Sequence, residues 1–73
     1  MIPAVTRDEW RKLISSELDD KVQSYSLRLK LDSLRQKIKQ QLLTEDDAIN
    51  DLYRFCGENE DILINDFENI FRD

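Results

Sequence analysis

Sixteen carboxylates, eleven lysines and arginines, one thiol and no imidazole make up the reactive side chains of this 73-residue sequence. Without histidine, Ser–His and Cys–His nucleophile pairs and a His general base are excluded, and so are the usual zinc ligand sets. The single Cys56 cannot close an intramolecular disulfide. What remains is carboxylate chemistry, and no Gly-rich phosphate loop or base–nucleophile pairing accompanies it. The expectation is a non-catalytic protein with no cofactor and no metal.

The charges are sorted along the chain. Residues 1–43 carry 9 Lys/Arg against 6 Asp/Glu, a net +3, while residues 44–73 carry 2 against 10, a net −8. A protein with an overall charge of −5 is repelled by phosphate backbones and anionic lipid, so nucleic acid and membrane are disfavoured as general partners. Complementary charge instead selects a basic protein surface. Glu45, Asp46, Asp47, Asp51, Asp66 and Glu68 are the candidate contact residues, with Phe71 as the candidate apolar contact. The alternative is a nucleic-acid-binding regulator using the basic stretch Arg28, Lys30, Arg35, Lys37 and Lys39. That stretch lacks interleaved aromatics beyond Tyr25, so no stacking platform for single strands is present.

Three further patterns have chemical meaning. Asp32-Ser33-Leu34 resembles the Asp-Ser-Leu attachment motif of acyl and peptidyl carrier proteins. That resemblance implies a four-helix acidic fold with a phosphopantetheine arm on Ser33 at the start of the second helix. The sequence departs from the family pattern in placing Lys30 and Leu31 where small residues are usual, and in following the motif with Arg35, Lys37 and Lys39. A window starting at Gly57 places Asn59, Asp61, Ile64 and Glu68 at EF-hand offsets. It has no side-chain ligand at its first position and Ile62 where the turn needs Gly, so calcium is not expected. Residues 44–72 also have the outline of a helix-turn-helix. Its second helix presents Glu60, Asp61, Asp66 and Glu68 where DNA recognition needs basic or amide groups.

The elements that position these residues are helical. One Gly and one Pro leave little material for tight turns. Thr6 and Glu9 have capping-box spacing, and Val5 and Trp10 that of a hydrophobic staple. Trp10, Leu13, Ile14, Leu18, Val22 and Tyr25 follow at helical spacing, which predicts helix 1 over about 7–23. Leu27, Leu31, Leu34, Ile38 and Leu42 form a second stripe pointing in a different direction, so a break near residues 24–26 and a second helix over about 27–43 are expected. Thr44 is the N-cap of helix 3, followed by three carboxylates that suit the positive end of its dipole. Ala48, Ile49, Leu52, Tyr53, Phe55 and Cys56 are its expected apolar face, and Gly57 its expected C-terminal stop. Asn59 would then cap helix 4, with Leu63, Ile64, Phe67, Ile70 and Phe71 facing the core.

The predicted fold is therefore all-α: a single domain over 1–73, built as a small bundle of three or four short helices with a C-terminal antiparallel helical hairpin. Such a short chain gains from association, so a dimer of identical chains or docking onto another protein is expected. No stretch reaches membrane-spanning length and the N-terminus turns charged at Arg7, which makes the cytoplasm the expected location.

Overall fold

The computed structural model describes residues 6–70. Four α-helices follow one another: α1 Arg7–Ile14, α2 Tyr25–Lys39, α3 Glu45–Glu58 and α4 Glu60–Ile70. A single turn of 3-10 helix, Asp19–Lys21, interrupts the connection between α1 and α2. The result is the small all-α bundle with a C-terminal helical hairpin. Its core is one cluster drawn from every helix, including Trp10, Leu13, Leu27, Leu31, Leu34, Ile49, Leu52, Leu63 and Phe67.

Helix α1 begins as its sequence dictates. The Thr6 hydroxyl accepts from the Glu9 amide at 3.4 Å, and a Glu9 carboxylate oxygen accepts from the Thr6 amide at 3.5 Å, closing the capping box. Val5, the other half of the expected staple, lies outside the described residues. The helix then stops nine residues earlier than the apolar spacing suggests, at Ile14 rather than Gln23. Ser16 adopts φ 74, the amide of Glu17 donates to the Lys12 carbonyl at 3.0 Å, and the amide of Ser16 donates to that of Leu13 at 3.3 Å. This is a Schellman ending, in which a left-handed residue turns the chain back on the last turn.

Helix α2 ends in the same way. Gln41 has φ 64, Leu42 donates to Lys37 at 2.8 Å and Gln41 to Ile38 at 3.0 Å. Neither stop carries the glycine that usually marks one. The single glycine, Gly57, lies inside α3 instead, and α3 runs on to Glu58. Only Asn59 separates α3 from α4. Its amide and its side-chain Nδ2 both donate to the Phe55 carbonyl, while its own carbonyl accepts from Ile62 and Leu63 in the first turn of α4. A left-handed backbone costs a non-glycine residue about 1 kcal/mol or more. Ser16→Gly and Gln41→Gly should therefore each raise the unfolding free energy by about 0.5–1 kcal/mol after the added chain entropy of glycine, seen as a higher urea midpoint. A lowered midpoint would show that the side chain at that position holds the turn.

Burial corrects the expected apolar faces at four residues. Tyr25 is the first residue of α2 and is 74% exposed, and Leu42 lies beyond the end of that helix at 68%. Tyr53 and Ile64 are exposed on α3 and α4. Tyr53 keeps one edge on the core, its ring meeting Trp10 edge-on at 5.7 Å between centroids. The buried stripe of α4 is Leu63, Asp66, Phe67 and Ile70, so a carboxylate takes a core position where Ile64 was expected.

Candidate functional site

Charge is where the fold redistributes what the sequence lays out, beginning with the basic stretch. Arg35 points inward and spans the end of α1. Its Nε donates to the Ile14 carbonyl at 3.0 Å and its Nη2 to that of Leu13 at 2.6 Å. The same guanidinium grips both oxygens of Asp19, at 2.6 and 3.2 Å. A cation therefore sits on the negative end of the α1 dipole and satisfies two of its terminal carbonyls. Asp32 adds a longer contact at 3.7 Å. Arg28 donates to the Val22 carbonyl at 2.7 Å. Lys30 pairs with Asp51 at 3.3 Å and lies 5.5 Å from the centre of the Phe55 ring.

Three of the five residues considered for nucleic acid are thus committed within the chain. Lys37 and Lys39 form no ion pair among the described residues, and both are exposed.

The other end of the α1–α2 connection is closed by an acid. Ser24, the N-cap of α2, makes no side-chain cap. The carboxylate of Asp66 on α4 instead holds the chain just before the helix, accepting from the amides of Gln23 at 3.1 Å and Ser24 at 2.9 Å. Asn69, one turn on, donates to the Lys21 carbonyl at 2.7 Å. Asp66 is 1% exposed, so it belongs to the core and not to a contact surface.

The remaining candidates separate into two groups. Glu45 pairs with Arg11 at 2.8 Å and Asp46 with Arg7 at 3.2 Å, tying the start of α3 to α1, and Asp51 is held by Lys30. The first two pairs are about half exposed and contribute little to stability, yet they cancel charge locally. Asp47 and Glu68 are exposed and carry no ion pair among the described residues. Phe71 lies outside those residues. Glu58 and Asp61, not among the initial candidates, are likewise exposed and without an ion pair.

On α4 these acids adjoin exposed apolar side chains, Ile62 at 61% and Ile64 at 40%. With Leu63, Asp66, Phe67 and Ile70 turned inward, a 3.6-residue period puts Asp61, Asn65 and Glu68 on the opposite face, flanked by the two isoleucines. A shallow polar depression lined by residues 57–62 lies at the helix junction beside them. The period would have revealed this face from sequence had Asp66 been assigned to the buried stripe.

Among the described residues no group of three or more His, Cys, Asp or Glu is placed to hold a metal ion. No helix of those residues is long and apolar enough to cross a membrane. Ser33 is exposed but stands in the middle of α2, not at a helix start.

The Cys56 thiol is fully buried, and burial, reinforced by the charge of Asp66, pushes its pKa from 9.0 up to about 12. A raised pKa means that the folded state keeps its proton longer than the unfolded one. Stability from this group is therefore complete below about pH 9 and is lost as the pH climbs towards 12. At neutral pH, alkylation of Cys56 should proceed only as fast as the protein opens, and its rate should rise with urea in step with unfolding. Rapid labelling of the folded protein would contradict this burial.

A second concavity, of about 280 Å³, lies between α1 and α3 and is lined by Arg7, Trp10, Ile49, Asn50 and Tyr53. Arg7 is already engaged there with Asn50 and Asp46, so no spare charge faces the space. The outward face of α4, with Glu58 at the adjoining end of α3, combines acids that form no ion pair among the described residues with exposed apolar groups. No family model matches the chain, and no curated protein or solved structure matches it either, so the functional reading rests on that surface.

Proposed function

We propose that the protein is a small non-catalytic interaction module, of the adaptor, inhibitor or regulator type, whose α3–α4 surface binds a basic protein surface. The observation that carries this reading is the in-chain matching of Glu45, Asp46, Asp51 and Asp66, which leaves Asp47, Glu58, Asp61 and Glu68 without an ion pair among the described residues, Asp61 and Glu68 sharing α4 with exposed Ile62 and Ile64. Apolar groups anchor a contact and the ring of charge selects and orients the partner. Arg54 is the single basic residue of α3, and it forms no ion pair among the described residues. The same reasoning favours self-association as part of the function, since the chain also exposes Lys37 and Lys39 without an ion pair among the described residues.

The test uses a lysine-rich amphipathic peptide as probe. The wild type should bind it with an affinity that falls as salt rises, because the Debye length shrinks from about 30 Å at 0.01 M to about 3 Å at 1 M. Neutralising Asp47, Glu58, Asp61 and Glu68 together should weaken binding about tenfold or more at low salt and flatten the salt dependence. Neutralising Glu45 and Asp46 should change it much less. Equal effects from both sets would remove the argument for this surface.

A further inference from the structure

We infer that the junction of α3 and α4 is a hinge, and that on its opening two chains exchange α4 to form a dimer. The exchange goes beyond the interaction-module reading and does not depend on it, because α4 keeps the same face outward in either form.

The junction is one residue from being continuous. Every residue from Glu45 to Ile70 except Asn59 is in an α-helix. Asn59 has φ −120 and ψ 28, against about −63 and −42 in a helix, so changes of about 60° and 70° at a single residue straighten the chain. Two bonds of the continuous helix are already made across it. The Asn59 amide donates to the Phe55 carbonyl at 3.1 Å, and the Leu63 amide to that of Asn59 at 3.0 Å. The Ile62 amide also donates to Asn59, at 3.1 Å. On straightening it would reach the Glu58 carbonyl, with the amides of Glu60 and Asp61 reaching Cys56 and Gly57 in the same pattern. The product is one helix from Glu45 to Ile70, about 39 Å long. Gly57, the poorest helix former in this stretch, is already helical in the bent form, so it adds no cost to the straight one.

What holds the bend is therefore the docking of α4. Leu63, Phe67 and Ile70 are buried in the core. Asp66 accepts from Gln23 and Ser24, and Asn69 donates to Lys21, all in the connection between α1 and α2. These anchors reach the connection and not α3, so they are indifferent to which chain supplies α4. A second copy is the occupant that fits, since its α4 presents the same leucine, aspartate, phenylalanine and isoleucine at the same spacing. Straightening carries α4 about 16 Å beyond the end of α3 and away from its own seat. Each chain then gives one α4 and receives one, so the contact is reciprocal and closes at two chains.

A short hinge holds α4 near its own seat at an effective concentration in the millimolar range, so exchange competes at about 1 mM chain. The experiment is sedimentation of the full chain at about 0.05 mM and about 1 mM. It is joined by isotope-filtered NOEs on labelled and unlabelled chains mixed in urea and refolded. The wild type should be monomeric at the lower concentration and show a substantial fraction with the mass of two chains at the higher. There, residues 63–70 of one chain should give NOEs to residues 21–24 of the other. Salt should favour the dimer, since each chain carries a net −5. Asn59→Ala removes the side-chain bond to Phe55 that fastens the bend and favours helix at the hinge, so it should tighten the dimer about tenfold. Two glycines inserted between Asn59 and Glu60 should uncouple the helices and return the protein to monomer.

Wild type and Asn59→Ala that both stay monomeric at about 1 mM overturn the inference. So does a dimer without NOEs between residues 21–24 and 63–70, or one that the glycine insertion leaves intact. Because the NOEs are read on the wild type, they decide the matter even where a variant fails to fold.

Discussion

Replacing Arg35 with alanine should lower the melting temperature by roughly 10–25 °C, the shift that a loss of about 2–4 kcal/mol produces in a domain of this size. The magnitude follows from what the side chain does. One guanidinium donates to the last two carbonyls of α1 and to both oxygens of Asp19, and only 22% of it is exposed. Alanine leaves the Ile14 carbonyl and the Asp19 carboxylate without the donors Arg35 supplied, and the Leu13 carbonyl with only the Ser16 amide, in a partly buried place, which costs more than the bonds contribute. Arg35→Lys should recover less than half of the loss, because an ammonium cannot reproduce the forked geometry. In a double-mutant cycle with Asp19→Ala the two losses should be strongly non-additive. Were Arg35→Ala to melt within a few degrees of the wild type, the connection between α1 and α2 would be held by something else.

Asp66→Ala should have an effect of similar size, about 2–4 kcal/mol, and a different signature. The amides of Gln23 and Ser24, just before α2, lose the side-chain acceptor supplied from α4 across more than forty residues of sequence. Amide exchange should accelerate first at Gln23 and Ser24, and then in α4, whose other polar anchor on this connection is Asn69. Asp66→Asn retains the shape and one acceptor but turns an amide donor towards an N–H donor, so an intermediate loss is expected. Removing the negative charge also removes one of the two influences that raise the Cys56 pKa, and the thiol should titrate lower in Asp66→Asn than in the wild type. Uniform exchange across α2 and α4 in Asp66→Ala would show that the carboxylate has no local role.

These two residues mark the division between what was legible in the sequence and what was not. The starts of α1 and α3 were legible, because Thr6 and Thr44 declare themselves by type and spacing and both cap as expected, whereas α2 starts at Tyr25 without a side-chain cap and the Asn59 side chain bonds back to Phe55. The apolar stripes of α2 and α3 were legible for the same reason, and with them the bundle and its hairpin. Helix ends were not. Ser16 and Gln41 turn left-handed without glycine's freedom, while the one glycine sits within α3, so the residue type carried no signal. The early stop of α1 is met by Arg35 on α2, and the far end of the connection that follows it by Asp66 on α4. Such contacts are set by packing, and local spacing does not express them.

The candidate surface shows the same division. That α4 carries an acidic exterior followed from the residue count, but which acids remain unmatched depended on tertiary pairing. Asp66 was the recoverable case. It shares a helical stripe with Leu63, Phe67 and Ile70, and a carboxylate in such a stripe needs a buried partner. The pairing of Glu45 with Arg11 and of Asp46 with Arg7 was not recoverable, since nothing in the sequence fixes α1 against the start of α3. Only Asp47 and Glu68 passed from the initial acidic set to the exposed, unpaired one, and the structure adds Glu58, Asp61, Ile62 and Ile64.

The central claim is that the outward face of α4 is a docking surface for basic protein, and amide chemical-shift mapping tests it most directly. Titration of the isotope-labelled protein with a lysine-rich amphipathic peptide at low salt should give saturable shifts centred on residues 61–68, with smaller ones at Asp47 and Glu58, all collapsing at high salt. Shifts scattered without saturation, or centred on Arg7, Trp10 and Tyr53 between α1 and α3, would contradict it.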